Sequence, residues 1–451
     1  MSNKITAEQL RDPDFTPPLH VAIPLGIQHV LAMFVSNFTP AIIIGLAAGY
    51  SFGSPDLVYM IQIAMLFSGI ATLIQTIGIG PVGTRLPIMQ GTSFAFIPVM
   101  IPAVKTVGMA GLFGGILVGS VIHTLLGFFI GRIRGWLPPL VTGLIVLTIG
   151  LSLISVGVQY AAGGVPLQGK PEFGSGHHWM LAGIVITVTV LLKSFAKGIL
   201  SSASVLIGLL VGYAVAYFMG DVNLGKVASA SWFQIPQPFK YGIEFDPGII
   251  IGITLMAFVS AIETVGDISG ITKGGAQREA TDKEISGGTF ADGIGSFIAG
   301  IFGGLPNTSF SQNVGLIALT GVMSRTVVTI GALLLILCGL VPKIGAVIST
   351  MPISVLGGGV IIMFGMVASA GLNMLSEVKW NSRNMLIFAV ALSIGLGLKA
   401  RARGIATSSR HFKNVAINRL IASCTDCDYF EFGVARRRLA SPLGKGGLRG
   451  I

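Results

Sequence analysis

The chain has 451 residues, 52% of them hydrophobic and 10% charged, with a mean hydropathy of +0.82. Soluble domains carry about a quarter charged residues, so this composition excludes a string of globular domains and indicates a polytopic helical membrane protein. The net charge is +11, but residues 399–451 hold eleven Lys and Arg against three Asp and Glu, and the nearly neutral remainder gives no reason to expect a nucleic-acid partner.

Taken in order, residues 1–17 are polar and lack the apolar core of a signal peptide, so this segment is expected to stay in the cytoplasm. Apolar windows then predict helices near 21–48, 57–78, 108–131, 136–158, 179–195, 198–219, 248–269, 325–347, 353–373 and 382–398. Shorter ones near 86–104, 286–303 and 309–321 bring the number to thirteen. With the N-terminus inside, the cytoplasmic loops hold eleven Lys and Arg, among them Arg85, Lys193 and Lys197, against five on the other side. That bias follows the positive-inside rule. The longest outer loops, Gln159 to His178 and Gly220 to Pro247, read as exposed connectors that could carry short strands. His177-His178 has no further ligand at metal spacing and reads as a solvated loop, so no metal site is expected. Beyond Leu398 nothing is apolar enough to span, and 399–451 reads as a basic, disordered or out-of-frame tail. Its Arg436-Arg437-Arg438 run could touch anionic headgroups, and its lone Cys424-Thr-Asp-Cys427 pair is a weak metal signal.

Two stretches are too polar to face lipid. Leu305-Pro-Asn-Thr-Ser-Phe-Ser-Gln-Asn313 breaks at Pro306 and becomes an apolar helical run only from Val314. Met89-Gln-Gly-Thr-Ser-Phe-Ala-Phe96 follows Pro87 and repeats the Thr-Ser-Phe of Thr308 to Phe310. Extended backbone at membrane depth is tolerated only where protein or a water-filled cavity satisfies its N–H and C=O groups, and paired interruptions of this kind point to a transporter site. Small-residue packing seams are the plainer alternative.

Ionisable groups within the spans are few, and each costs about 2.5 to 3.5 kcal/mol at the bilayer centre. They are Glu263 and Asp267, four residues apart on one helix face, Asp292, and the histidines His29 and His123. No Lys or Arg is expected at membrane depth to neutralise the acids. A carboxylate in a partly dry cavity can exchange a proton near neutral pH and also accept hydrogen bonds from a ligand. Capping of helix N–H groups is the structural alternative for Glu263, and structural hydrogen bonding for Asp267 and Asp292. His123 reads as a packing residue and His29, beside Gln28, as a hydrogen-bonding support.

Gln312-Asn-Val-Gly-Leu-Ile-Ala-Leu-Thr-Gly321 resembles the signature of the nucleobase/ascorbate transporter family, also called the xanthine/uracil permeases. The likeness continues through Gln28-His29, Gln90 to Phe96, Glu263-Thr-Val-Gly-Asp267 and Asp292-Gly293, and covers residues 17 to 398. Gln at 312 with Thr320-Gly321 is most similar to the xanthine and uric acid permeases, where uracil permeases usually place Glu. The resemblance implies an all-α fold of two inverted repeats of seven spans, with short extended segments in the third and tenth. Its core domain would comprise residues 18–131 and 248–347, and its gate domain 132–220 and 348–398. The family's fourteenth span has no counterpart here, which puts assembly and activity in doubt.

Carried over by motif, Glu263 and Gln312 bind the purine, Asn313 supports affinity and selectivity, Ser93 and Phe94 line the opposite wall, and His29, Asp267 and Asp292 support coupling. The implied function is proton symport of xanthine or uric acid across the cell membrane, the inner membrane in a bacterium. It needs no cofactor beyond the proton, and family members commonly form homodimers through the gate. A uracil permease, or an anion transporter or channel on the same architecture, is the alternative; the latter would call for a basic residue at the half-helix ends, and 86–104 and 309–321 supply none. No nucleophile elbow, metal cluster or nucleotide-binding loop suggests an enzyme.

Overall fold

The computed structural model describes residues 6–133, 138–376 and 378–400. The readings made for residues 1–5 and 401–451, including Cys424, Cys427, Arg436 to Arg438 and the missing span, lie outside the described residues.

In chain order the main elements are α1 (Leu19–Ala47), α2 (Pro55–Ile77), β1 (Gln90–Thr92), α3 (Ile97–Leu126), α4 (Pro139–Ala161), α5 (Gly176–Phe195), α6 (Ser204–Phe218) and α7 (Pro247–Ile271). There follow α8 (Asp282–Ile301), β2 (Asn307–Ser309), α9 (Ser311–Thr320), α10 (Arg325–Leu340), α11 (Pro342–Ser349), α12 (Ile353–Leu375) and α13 (Ser382–Ala400). Several helices start on their own capping chemistry. Ser54 accepts from the Leu57 N–H ahead of Pro55, Asp246 accepts from the Ile249 N–H ahead of Pro247, and Thr281 with Glu284 forms a reciprocal capping box on α8.

Among the described residues, seven helices are long and apolar enough to cross a membrane: α1 to α5, α7 with the turn that follows it, and α12. The thirteen predicted windows map onto the elements with two corrections. The windows 86–104 and 108–131 contribute to a single helix, α3, kinked at Gly108 (φ 72°), a left-handed conformation that a residue without Cβ adopts readily. The window 325–347 instead breaks into α10 and α11, bent by 78° at Val341, because the Pro342 ring fits the first turn of a new helix. The outer loops form turns and short helices, and the strands considered for them are absent among the described residues.

Two sets of helices pack separately. In one, α3 lies against α7 and α8, while α2 lies against α1, α8, α10 and α11. In the other, α12 packs on α4, α5 and α6, with α13 against α4. The second set is assembled on glycine. A Cβ at Gly150 of α4 would sit 2.4 Å from the Ala368 nitrogen of α12, and one at Gly371 would sit 2.2 Å from the Leu147 nitrogen. The run Gly357-Gly358-Gly359 abuts Ala161 of α4, Ala182 of α5 and Leu209 of α6 in turn. Backbones this close gain dispersion over their whole length, which is how helices associate where lipid competes for apolar side chains. Gly150→Val is therefore expected to destabilise the detergent-solubilised protein by about 1–3 kcal/mol or more through overpacking, read as a lowered melting temperature. Gly183→Val, on an open face of α5, should stay close to the unaltered protein.

Candidate functional site

The two interrupted stretches pair with each other. β1 and β2 form an antiparallel ribbon with Gln90 opposite Ser309, Gly91 opposite Thr308 and Thr92 opposite Asn307. The pairing extends by Ser93 N–H to Pro306 O (2.8 Å) and Phe310 N–H to Met89 O (3.0 Å). A two-stranded ribbon leaves both outer edges unpaired, and in a membrane protein those groups must find partners inside the chain. Thr72 Oγ1 accepts from the Gln90 N–H (2.9 Å) while Ser68 donates to the Gln90 carbonyl. Asn37 Oδ1 accepts from the Thr92 N–H (2.9 Å), and Ser296 accepts from the Asn307 N–H (2.8 Å) and donates to its carbonyl (3.2 Å). A Cβ on Gly91 would strike the Phe310 ring, Met33 and Asn37, so any larger residue there would have to displace those side chains, Asn37 among them.

Two of the three acids hold this ribbon. Asp292 on α8 receives the Gln90 side-chain N–H (2.7 Å) and the Thr264 hydroxyl, linking α8 to β1 and α7. Asp267 on α7 receives the hydroxyls of Ser309 (2.6 Å) and Ser311 (2.7 Å), linking α7 to β2 and the start of α9. Both are buried, where a carboxyl group is tolerated only with such partners.

Glu263 is different. It lines a cavity of about 320 Å³ between the two helix sets, together with Gln312, Phe94 and Thr308 on one side and Val146 of α4 and Met366 of α12 on the other. Among the described residues neither the Glu263 carboxyl nor the Gln312 amide has a hydrogen-bond partner. Phe94 meets Phe364 edge-on, ring centroids 5.4 Å apart.

The remaining sequence candidates lie behind the wall. Ser93 is buried, and its hydroxyl accepts from the Ala95 N–H (3.3 Å). Asn313, one residue after Gln312, turns to α1, where its Nδ2 donates to His29 O (3.0 Å) and lies 3.0 Å from His29 Nδ1. Neither lines the cavity: Asn313 points about 100° round the helix from Gln312, and Ser93 lies in the turn between β1 and α3. His123 is packed, but its Nε2 has no partner among the described residues.

Sequence reasoning missed two things. The uncharged residues Asn37, Ser68, Thr72 and Ser296, which close the ribbon's edges, gave a signal only as polar positions within apolar helices. Lys193 was assigned to a loop, yet it lies in the last turn of α5 and lines the cavity beside Glu263. The expectation of no Lys or Arg at membrane depth is corrected to that extent, although no ion pair joins Lys193 to an acid among the described residues.

A family profile described as "Permease family" matches residues 20–403. The chain belongs to this permease family. It is 37% identical over 380 residues to the uric acid transporter UacT of Escherichia coli, covering 83% of this chain and 78% of that protein. To the xanthine permease of Bacillus subtilis it is 36% identical over 381 residues, 83% of this chain and 85% of that one. Among solved structures, the transmembrane domain of the cyanobacterial bicarbonate transporter BicA superposes with a TM-score of 0.58 at 16% identity, covering 83% of this chain and 94% of that one. The murine Slc26a9 anion transporter in its inward-facing state gives 0.57 at 13% identity, covering 89% of this chain and 68% of that one. These structures share the fold. The permease is a transporter rather than an enzyme.

In this permease the ribbon and its two acids form one hydrogen-bonded unit. Gln90→Leu removes the amide donor from buried Asp292 and is expected to cost about 1–3 kcal/mol, seen as a lowered melting temperature in detergent. Gln90→Glu should be worse, since it sets a second carboxyl group against the first.

Proposed function

We propose that this permease is a secondary transporter of an oxidised purine, xanthine or uric acid, moved across the cell membrane together with a proton. The single observation that carries the reading is the pair of unpartnered groups, Glu263 and Gln312, facing one cavity from different helices. An oxidised purine presents alternating N–H donors and C=O acceptors on a flat rim. A carboxylate accepts from its N–H groups, and a carboxamide both donates and accepts beside them. Phe94 offers an apolar surface to the ring face. The cavity is at the small end of the range for ligand sites, in keeping with a single nucleobase. The names of the relatives agree: a uric acid transporter and a xanthine permease.

In this reading Glu263 binds the purine and takes the proton, Gln312 sets selectivity, and Asp267, Asp292 and the Asn313–His29 pair hold the site's geometry. Ser93 contributes through the turn after β1. Helices α1–α3 and α7–α11 act as the core, and α4–α6 with α12 and α13 as the gate. The repeated Thr-Ser-Phe at Thr92 and Thr308, paired antiparallel in the ribbon, supports an inverted repeat relating the two halves. The N-terminus lies in the cytoplasm and the gate forms the homodimer surface.

Uptake of labelled xanthine into cells expressing the full chain tests this. Uptake should collapse with a protonophore and with Glu263→Ala, while Glu263→Gln keeps binding and loses accumulation against a gradient. Gln312→Ala leaves ligand polar groups unpaired and should weaken affinity by about 5- to 150-fold, equivalent to about 1–3 kcal/mol. Uptake indifferent to Glu263→Ala would refute the reading.

A further inference from the structure

The central cavity has a neighbour. A second cavity of about 470 Å³ shares the wall residues Lys193, Gln312, Gly315 and Met366 with it and lies against the α5–α6 connection. Its charge differs from that of the centre, where Lys193 shares the lining with Glu263. Lys193 and Lys197 face it with Gln28, Ser201, Ser202 and Thr320, and no Asp or Glu is among its lining residues.

Both lysines are uncommitted. Among the described residues neither makes an ion pair or a hydrogen bond. Four basic residues elsewhere in the chain are tied down: Lys240 to Asp56 (2.8 Å), Arg278 to Glu284 (2.5 Å), Arg325 to Asp14 (2.8 Å), and Lys226 to the Phe52 carbonyl (2.8 Å). The placement of the pair follows from the backbone. Helix α5 ends as Ala196 turns extended, and Gly198 adopts φ 61°, which brings Lys197 round to the same cavity as Lys193. Both side chains are solvent-exposed; two ammonium groups at one cleft still raise the local positive potential and favour an anion, by an amount that salt screens. The Ser201 hydroxyl gives such an anion a directional partner, while the Gln28 amide is bonded to Ser202 (3.0 Å) and Thr320 donates to the Leu316 carbonyl (3.0 Å).

We propose that this second cavity is a binding station for the oxopurine in its singly ionised form, with Lys197 as its dedicated cation and Lys193 shared with the central cavity. The proposal rests on the purine-transport reading above. Uric acid is the stronger acid of the two ligands. At mildly acidic pH it is largely an anion, whereas xanthine is still neutral, so charge at the station discriminates between them. Lys193 and Glu263 then present opposite charges to the ligand along its path. An anion is held by the lysines and disfavoured beside an ionised Glu263.

Equilibrium binding of labelled uric acid and labelled xanthine to the purified full chain, at mildly acidic pH and low salt, tests the station. Lys197→Gln should weaken uric acid roughly fivefold and xanthine less than about twofold. Lys197→Arg should retain uric acid affinity, and high salt on the unaltered chain should reproduce the loss. Unchanged uric acid affinity in Lys197→Gln, or an equal loss for both purines, overturns the station while leaving the central site standing. If the unaltered chain binds neither purine, the transport reading fails and the station with it.

Discussion

Polar backbone at membrane depth has to be satisfied by the protein itself, and in this chain that requirement is concentrated on six residues, Gln90 to Thr92 and Asn307 to Ser309. Pairing the two strands satisfies one edge of each. The other edges are closed by Asn37 of α1, Ser68 and Thr72 of α2 and Ser296 of α8. Three helices are therefore fixed around one ribbon by hydrogen bonds that have no aqueous substitute. The position of α9, and with it Gln312, follows from where β2 ends.

The acids divide the labour in a way that partner count makes plain. Asp267 and Asp292 each accept two hydrogen bonds from neighbours on other elements and act as struts of the ribbon. Glu263, one helical turn from Asp267, is left facing space. Half-buried and lining the cavity, it makes no hydrogen bond to the ribbon among the described residues. The Asn313 amide ties α9 to His29 in the same fashion, so the half-helix is anchored on the side away from the cavity and free on the side toward it.

The two helix sets are held together differently from their interiors. Within the second set, glycine faces on α4 and α12 bring backbones into contact. Between the sets, the boundary at the cavity is made by Phe94 against Phe364 and by Val146, Ile149 and Met366. Polar crossings include Gln28 to Ser202 (3.0 Å) and Ser36 to the Met363 sulfur (3.2 Å). At a mainly apolar boundary a relative shift of the two sets breaks few hydrogen bonds.

The amino-acid sequence by itself determined what depends on local chemistry. Transfer free energy marks the apolar windows, proline and clustered amides mark the two interruptions, and the spacing of Glu263, Gln312 and their neighbours carries the family pattern. Only the tertiary structure decided which of those groups meet. Gln90 and Asp292 are 202 positions apart, Asn313 and His29 are 284 apart, and nothing local specifies either bond. The same holds for Lys193, which the sequence places in a loop and the structure places in the last turn of α5, lining the cavity. Ser93 and Asn313 share motifs with cavity residues yet face away from it, because a turn or a helix sends adjacent side chains in different directions. Periodicity and composition report how each segment partitions between water, lipid and protein; the pairing of distant polar groups depends on packing that exists only once all the segments are in place.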